Sequence, residues 1–292
     1  VTNPSVPQFL FDQDLILRRR ARAMRAGGAT FLLDRIAAEF GERLEAVKRD
    51  FAHVVDVGTP DDSLRRVLAR DGRTFAAADF LGRAHEALDL GVAAFDLAAS
   101  ALALQFANDL PGILAQVRRA LRPDGLFLAA LIGGDTLEEL RQAFAEAEIA
   151  LEGGLSPRVA PFAGVRDLGA LLQRAGFALP VVDTDRLVVR YRDVFALMRD
   201  LRAMGATNAM AARRRTPLRR ATLARMAEIY AERFTEADGR CRATFEVIWL
   251  SGWAPHESQP KPLPPGSAKV SLADVLGQRK AFTPTTDRSG KE

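Results

Sequence analysis

Residues 109–132 run DLPGILAQVRRALRPDGLFLAALI, a helix, a turn and a strand in immediate succession. Asp109 is a capping residue, and Pro111 falls in the first helical turn, where its missing N–H costs nothing. Leu110, Ile113, Leu114, Val117 and Leu121 recur at the spacing of one helix face. Pro123-Asp124-Gly125 then turns the chain, because proline fixes φ and glycine tolerates positive φ. Leu126 to Ile132 is almost wholly apolar, as expected of a strand covered on both faces.

The same alternation extends in both directions. Residues 30–51 carry Leu33, Ile36, Phe40, Leu44, Val47 and Phe51 at helical spacing. His53 to Val57 is a short buried strand ending at Gly58, and Asp61-Asp62 opens a short helix. Thr74 to Ala78 is a second strand ending at Asp79, residues 82–90 are helical, and Phe95 to Ser100 is a third strand. Downstream, Thr136 and Glu139 have capping-box spacing at the head of a helix that reaches Leu151. A helix over 165–175 stops at Gly176, and Leu179 to Tyr191 is strand with a bend at Asp183-Thr184-Asp185. Two helices, over 193–204 and 217–235, follow with no strand between them, and Thr244 to Leu250 returns to strand.

This order predicts an α/β fold of the class I methyltransferase type, Rossmann-like, with a mostly parallel sheet and helices on both faces. It divides the chain into an N-terminal helical segment (1–52), a methyltransferase-like domain (53–192 with 240–255), a helical insertion before the last strand (193–239) and a tail (256–292). Pro260, Pro262, Pro264 and Pro265 give that tail an extended polyproline character, and its polar end reads as disordered.

Composition narrows the function classes. The chain has 292 residues, 48% hydrophobic and 27% charged, enough apolar material for a core, so whole-chain disorder is excluded. The apolar stretch from Phe95 to Ala107 is broken by Asp96, Ser100 and Gln105, short of the ~20 residues a membrane span needs. Val1-Thr2-Asn3-Pro4 lacks the basic and apolar regions of a secretory signal. Cys241 is alone, so no disulfide forms within the chain, and a reducing, cytoplasmic setting is the simplest reading. The net charge of +4 is carried mainly by arginine, clustered at Arg18, Arg19, Arg20, Arg22 and Arg25 and at Arg213, Arg214, Arg215, Arg219 and Arg220. Such runs are usually solvated; they also suit an anionic membrane surface, here the inner face of the cytoplasmic membrane, or an acidic partner. No aromatic residues interleave with them, which disfavours nucleic acid. His53, His85 and His256 lack the spacing of a metal triad, so no metal site is expected. No G-x-G-x-x-G follows a strand, which rejects a dinucleotide dehydrogenase.

Several strings are more specific than the fold. They include Leu10-Phe11-Asp12, Asn108-Asp109-Leu110-Pro111, Gly133-Gly134-Asp135-Thr136-Leu137, Glu152-Gly153-Gly154-Leu155-Ser156-Pro157-Arg158 and His256-Glu257-Ser258-Gln259. On these the sequence resembles the NADH:ubiquinone oxidoreductase complex assembly factor 5 family over roughly residues 10–275. The resemblance implies a role in building respiratory complex I, with a complex I subunit as protein partner. It also implies one of two chemistries, hydroxylation of a subunit arginine or S-adenosylmethionine (AdoMet)-dependent methyl transfer.

The departures fall in the cofactor half. Methyltransferases of this class carry a glycine-rich loop after the first strand, because a Cβ would obstruct the cofactor. Here the loop is Asp56-Val57-Gly58-Thr59-Pro60-Asp61-Asp62, with a proline that removes an N–H and carboxylates that face the ligand's own carboxylate. Only 39 residues separate Asp56 from Phe95, room for one complete strand–helix–strand unit and a remnant. A strand-and-helix portion is therefore expected to be missing. The family's His-Trp before Asn108 is Gln105-Phe106 here.

The candidate cofactor residues are Asp56, Gly58, Asp79 and Ser100; as a bland alternative, Asp56 and Gly58 form a strand-end turn with no ligand. The candidate partner or pocket residues are Asp135, Glu152, Ser156, Arg158 and His256. Gly133-Gly134 suggests close approach of another group to the sheet. The expectation is a methyltransferase-fold assembly factor with a degenerate AdoMet site; the alternative is an active AdoMet-dependent methyltransferase or arginine hydroxylase.

Overall fold

The computed structural model describes residues 9–69 and 72–260. The Pro-rich tail expected beyond Pro260 lies outside the described residues. The described residues up to His256 belong to one compact unit.

Its centre is a sheet of six strands: β1 (His53–Val57), β2 (Thr74–Ala78), β3 (Phe95–Ala101), β4 (Leu121–Ile132), β5 (Ala178–Tyr191) and β6 (Cys241–Trp253). Their spatial order is β2-β1-β3-β4-β6-β5. Strands β2, β1, β3 and β4 are parallel, and β6 runs antiparallel to both β4 and β5. The chain winds one way from β1 to β2 and the other way from β3 onward. That switch point is where open α/β sheets bind ligands, at the carboxyl ends of the strands.

The helices are α1 (Gln13–Arg25), α2 (Phe31–Ala46), α3 (Ser63–Leu68), α4 (Leu110–Ala120), α5 (Glu138–Glu152), α6 (Val165–Arg174), α7 (Val194–Ala203) and α8 (Arg220–Phe234). Two apolar clusters cover the two faces of the sheet. Val54, Leu97 and Leu126 join α2, α5, α7 and α8 on one face. Val55, Ala98 and Phe127 join α4 and α6 on the other. The alternation along each strand follows from the two-residue pleat.

The connection between β1 and β3 holds α3, β2 and a single 3-10 turn at Ala84–Glu86. This is the shortened cofactor half that the 39-residue spacing implied. β2 pairs with β1 directly and forms the sheet edge among the described residues. The helix expected over 82–90 does not form. His85 and Glu86 both adopt positive φ, 53° and 51°. The cause is tertiary: the buried Glu86 carboxylate accepts the N–H groups of Asn108 and Asp109, both at 2.7 Å, and the Gln13 amide.

Two other local expectations are corrected. Thr136 and Glu139 do not form a capping box; Leu137, in a left-handed conformation, precedes α5 without a side-chain cap. Beyond Ile132 this segment instead extends the ladder to β6. Gly133 N–H donates to Glu246 O at 2.8 Å and Leu137 N–H to Thr244 O at 2.7 Å. Thr136 Oγ1 accepts from Glu246 N at 2.9 Å, and Glu139 accepts from Thr244 N and Oγ1 at 3.1 and 2.6 Å. The group approaching Gly133 is the Ile248 side chain, which a Cβ would strike. Nor does β5 bend at Asp183–Asp185. Its register with β6 is continuous from Val181 to Tyr191, and Asp183 and Asp185 turn outward to Arg43 and Arg35 of α2, at 3.3 and 3.9 Å.

Candidate functional site

A cavity of about 370 Å³ opens at the carboxyl ends of β1, β3 and β4. That size and position suit a small-molecule site. The loop after β1 contributes Pro60 and Asp61, the segment after β3 contributes Leu102, Gln105 and Phe106, and α1 contributes Arg20. The remaining wall is largely apolar, including Leu33, Leu140, Phe144, Met198, Met204 and Phe245. Leu102 and Leu137, both on this wall, have φ of 52° and 55°. Positive φ at leucine is strained and is typically held where the surroundings require it.

The first turn after β1 is packed by the protein's own groups. Gly58 has φ of +74°, and a Cβ there would lie 2.9 Å from the Phe80 ring and 3.2 Å from Ala103. Phe80 is fully buried. The glycine therefore makes room for a phenylalanine. Arg20 reaches across from α1, donating to Gly58 O at 3.4 Å and Leu102 O at 3.3 Å, with its guanidinium 5.3 Å from the centre of the Phe106 ring. Desolvation lowers the Arg20 guanidinium to about 10, a shift partly offset by Asp79.

Asp56 is buried, and its Oδ1 accepts the Thr59 N–H at 3.4 Å. Burial, reinforced by the neighbouring Asp61 and Asp79 carboxylates, pushes its carboxyl up to about 6. The folded chain thus favours the neutral acid. This contribution to stability is fully present below the unfolded value near 3.8 and is lost as pH rises through about 6. Asp56→Asn is expected to flatten the stability profile between pH 4 and 6. At pH 7 it should raise stability by roughly 1–3 kcal/mol. Urea unfolding midpoints of the two proteins across that range test this; parallel profiles contradict it.

The other sequence candidates are scattered. Ser100 Oγ donates to Val57 O at 2.7 Å, which ties β3 to β1. Asp79 is half-buried and accepts from Leu81 N at 2.9 Å. Asp135 is exposed and its carbonyl accepts from Glu138 N at 3.2 Å. Glu152 is engaged by Arg214 and by Thr222 Oγ1, the latter at 2.6 Å. Ser156 N–H and the Arg158 guanidinium both bind the buried Glu148 carboxylate, at 2.6 and 2.7 Å. Of this group Arg158 reaches the cavity wall. His256 is exposed.

Sequence reasoning missed Arg20, Phe80 and Glu148. Arg20 looked like one member of a basic run. The available signal was its face: Ile16, Arg20 and Ala23 share one side of α1 at helical spacing, and Ile16 and Ala23 are buried. Arg19 also turns inward, donating to Thr207 O at 2.8 Å, while Arg18, Arg22 and Arg25 stay exposed. No described helix is long and apolar enough to cross a membrane. Among the described residues no group of three or more His, Cys, Asp or Glu side chains is placed to hold a metal ion.

The strand order and the ligand-sized cavity at its switch point define a protein of the class I methyltransferase fold. In agreement, residues 36–129 match the family model of the methyltransferase domain. More particularly, the chain belongs to the family of the mitochondrial arginine-hydroxylase NDUFAF5. It is 36% identical to the Homo sapiens protein over 302 residues, covering 96% of this chain and 87% of that one. The Danio rerio protein is 45% identical over 181 residues, 62% of this chain and 56% of the fish protein. A malonyl-[acyl-carrier protein] O-methyltransferase of Laribacter hongkongensis is 38% identical over 248 residues, covering 83% and 78%. Among solved structures, the YcgJ protein of Bacillus subtilis aligns with a TM-score of 0.45 at 14% identity, covering 74% of this chain and 97% of that one.

Proposed function

We propose that the chain is a binding and assembly factor for respiratory complex I, built on a methyltransferase fold whose AdoMet cradle its own side chains fill. The observation that carries this reading is the packing at Gly58. The Phe80 ring packs where a Cβ at Gly58 would stand, so a neighbouring side chain accounts for the glycine without a ligand, and the Gly58 and Leu102 carbonyls face the Arg20 guanidinium. Pro60 offers no N–H to a ligand carboxylate, and the Asp61 carboxylate lines the cavity beside it. Pro60 and the Asp61 carboxylate are poor partners for the AdoMet carboxylate, so no chemical step is routed through it. The exposed Arg18, Arg22 and Arg25 of α1 suit contact with an acidic partner or an anionic membrane face.

A second reading draws on the alignment over nearly the whole chain: the chain is an arginine hydroxylase, as the human relative is named, acting on a complex I subunit. Charge opposes it. Arg20 and Arg202 line the cavity against one carboxylate among its described lining residues, Asp61, whereas an arginine substrate needs carboxylates around its guanidinium.

Gene deletion with complementation tests the assignment, read as the amount of assembled complex I on native gels. Deletion is expected to deplete the complex, with Asp56→Asn and Asp79→Asn restoring it as well as the wild-type chain. Normal assembly after deletion would contradict the role. Failure of both folded variants to restore it would favour the enzyme.

A further inference from the structure

The cavity's polar end is electrically unfinished. Arg20 has five N–H donors, yet among the described residues its hydrogen bonds are two long ones to backbone carbonyls, and Asp79 influences it without forming an ion pair. A desolvated guanidinium without a carboxylate partner is costly, and a bound anion relieves that cost. Beside it, Gln105 donates its amide N–H to Leu102 O at 2.9 Å, the same oxygen that Arg20 approaches at 3.3 Å. Gln105 Oε1 is buried with no hydrogen-bond partner. Both residues line the cavity, and Leu102 between them is held at positive φ. One end of a largely apolar cavity therefore presents a guanidinium with no carboxylate ion pair among the described residues next to a buried acceptor with no hydrogen-bond partner.

The geometry points to a binding site for an aliphatic hydroxy-carboxylate. Its chain lies among Leu33, Leu140, Phe144, Met198 and Phe245, its carboxylate on Arg20, and its hydroxyl donates to Gln105 Oε1. A carboxylate matches the forked guanidinium in two parallel hydrogen bonds. Arg202, exposed on the same wall, adds positive charge at the mouth. Arg158 is already neutralised by Glu148 and takes no part.

The inference rests on the reading that the chain's own groups fill the AdoMet cradle. The test is calorimetric titration of the full chain with 3-hydroxydecanoate, with its methyl ester, which keeps chain and hydroxyl but loses the charge, and with decyltrimethylammonium. The acid is expected to saturate one site per chain, with the ester at least tenfold weaker and the cation silent. Arg20→Met should weaken the acid tenfold or more and leave the ester unchanged. Met198→Trp, which adds bulk on the cavity wall, should abolish both. No saturable binding of the acid overturns the proposal, as does equal affinity for acid and ester, or acid binding that Arg20→Met leaves intact. The acid–ester comparison needs no variant, so it stands even if Arg20→Met does not fold. AdoMet titrated into the same samples separates the two claims. Saturable AdoMet binding alongside charge-dependent acid binding overturns the filled cradle alone.

Discussion

Arg158→Met is expected to destabilise the folded chain by about 3–5 kcal/mol, the cost of leaving a buried charge without its partner. The Glu148 side chain is 1% exposed, and Arg158 at 16% is its counter-ion. The guanidinium meets Glu148 Oε1 at 2.7 Å from Nε, while Ser156 N–H satisfies Oε2 at 2.6 Å. Arg158 also lies 5.5 Å from the centre of the Phe144 ring on the cavity wall. Methionine keeps the apolar reach of the side chain and removes the charge, so the loss reports the carboxylate's isolation. Adding Glu148→Gln should recover most of the stability, because a neutral amide tolerates that burial. Urea denaturation followed by the fluorescence of Trp249 and Trp253 measures both. Equal stability of wild type and Arg158→Met would show that the pair holds nothing in place.

Phe80→Ala should cost about 3–5 kcal/mol, as for deletion of other fully buried aromatic side chains. Gly58→Ala should also destabilise, for two separable reasons. Alanine at φ of +74° is strained by about 1–2 kcal/mol, and its Cβ would stand 2.9 Å from the Phe80 ring. The second part vanishes once Phe80 is gone. A double-mutant cycle is therefore expected to show a coupling of roughly 0.5–3 kcal/mol, with Gly58→Ala milder in the Phe80→Ala background. Additive effects would mean that the glycine and the ring do not meet. This matters for function, since a glycine retained for a ligand should couple to that ligand and not to a neighbouring ring.

The layers of the fold were legible because they rest on local patterns. The apolar run Leu126–Ile132, the capping Asp109 with Pro111, and the short spacing from Asp56 to Phe95 each specify structure without distant partners. Expectations failed where a distant partner outcompeted the local signal. Thr136 and Glu139 have capping-box spacing, but the open end of β6 at Thr244 and Glu246 claims their oxygens. Residues 82–90 have helix-forming composition, but Glu86 is more valuable as the acceptor for Asn108 and Asp109. The cavity itself was illegible for the same reason. It joins Arg20 with the ends of β1 and β3, 38 and 82 residues away along the chain. Nothing local in the sequence announces that pairing. The proline and added carboxylates of the loop Asp56–Asp62 are legible as letters, but they say nothing of what packs against Gly58. That the Phe80 ring lies there is set by tertiary packing.

The central claim is that the chain's own side chains occupy the place of the cofactor. Calorimetric titration of the purified chain with AdoMet and with S-adenosylhomocysteine, paired with thermal-shift measurement, tests it most directly. The account predicts no saturable heat and no stabilisation by either ligand. Saturable one-to-one binding of either would contradict it, and would make Gly58, Asp56 and Asp79 parts of a working cofactor site.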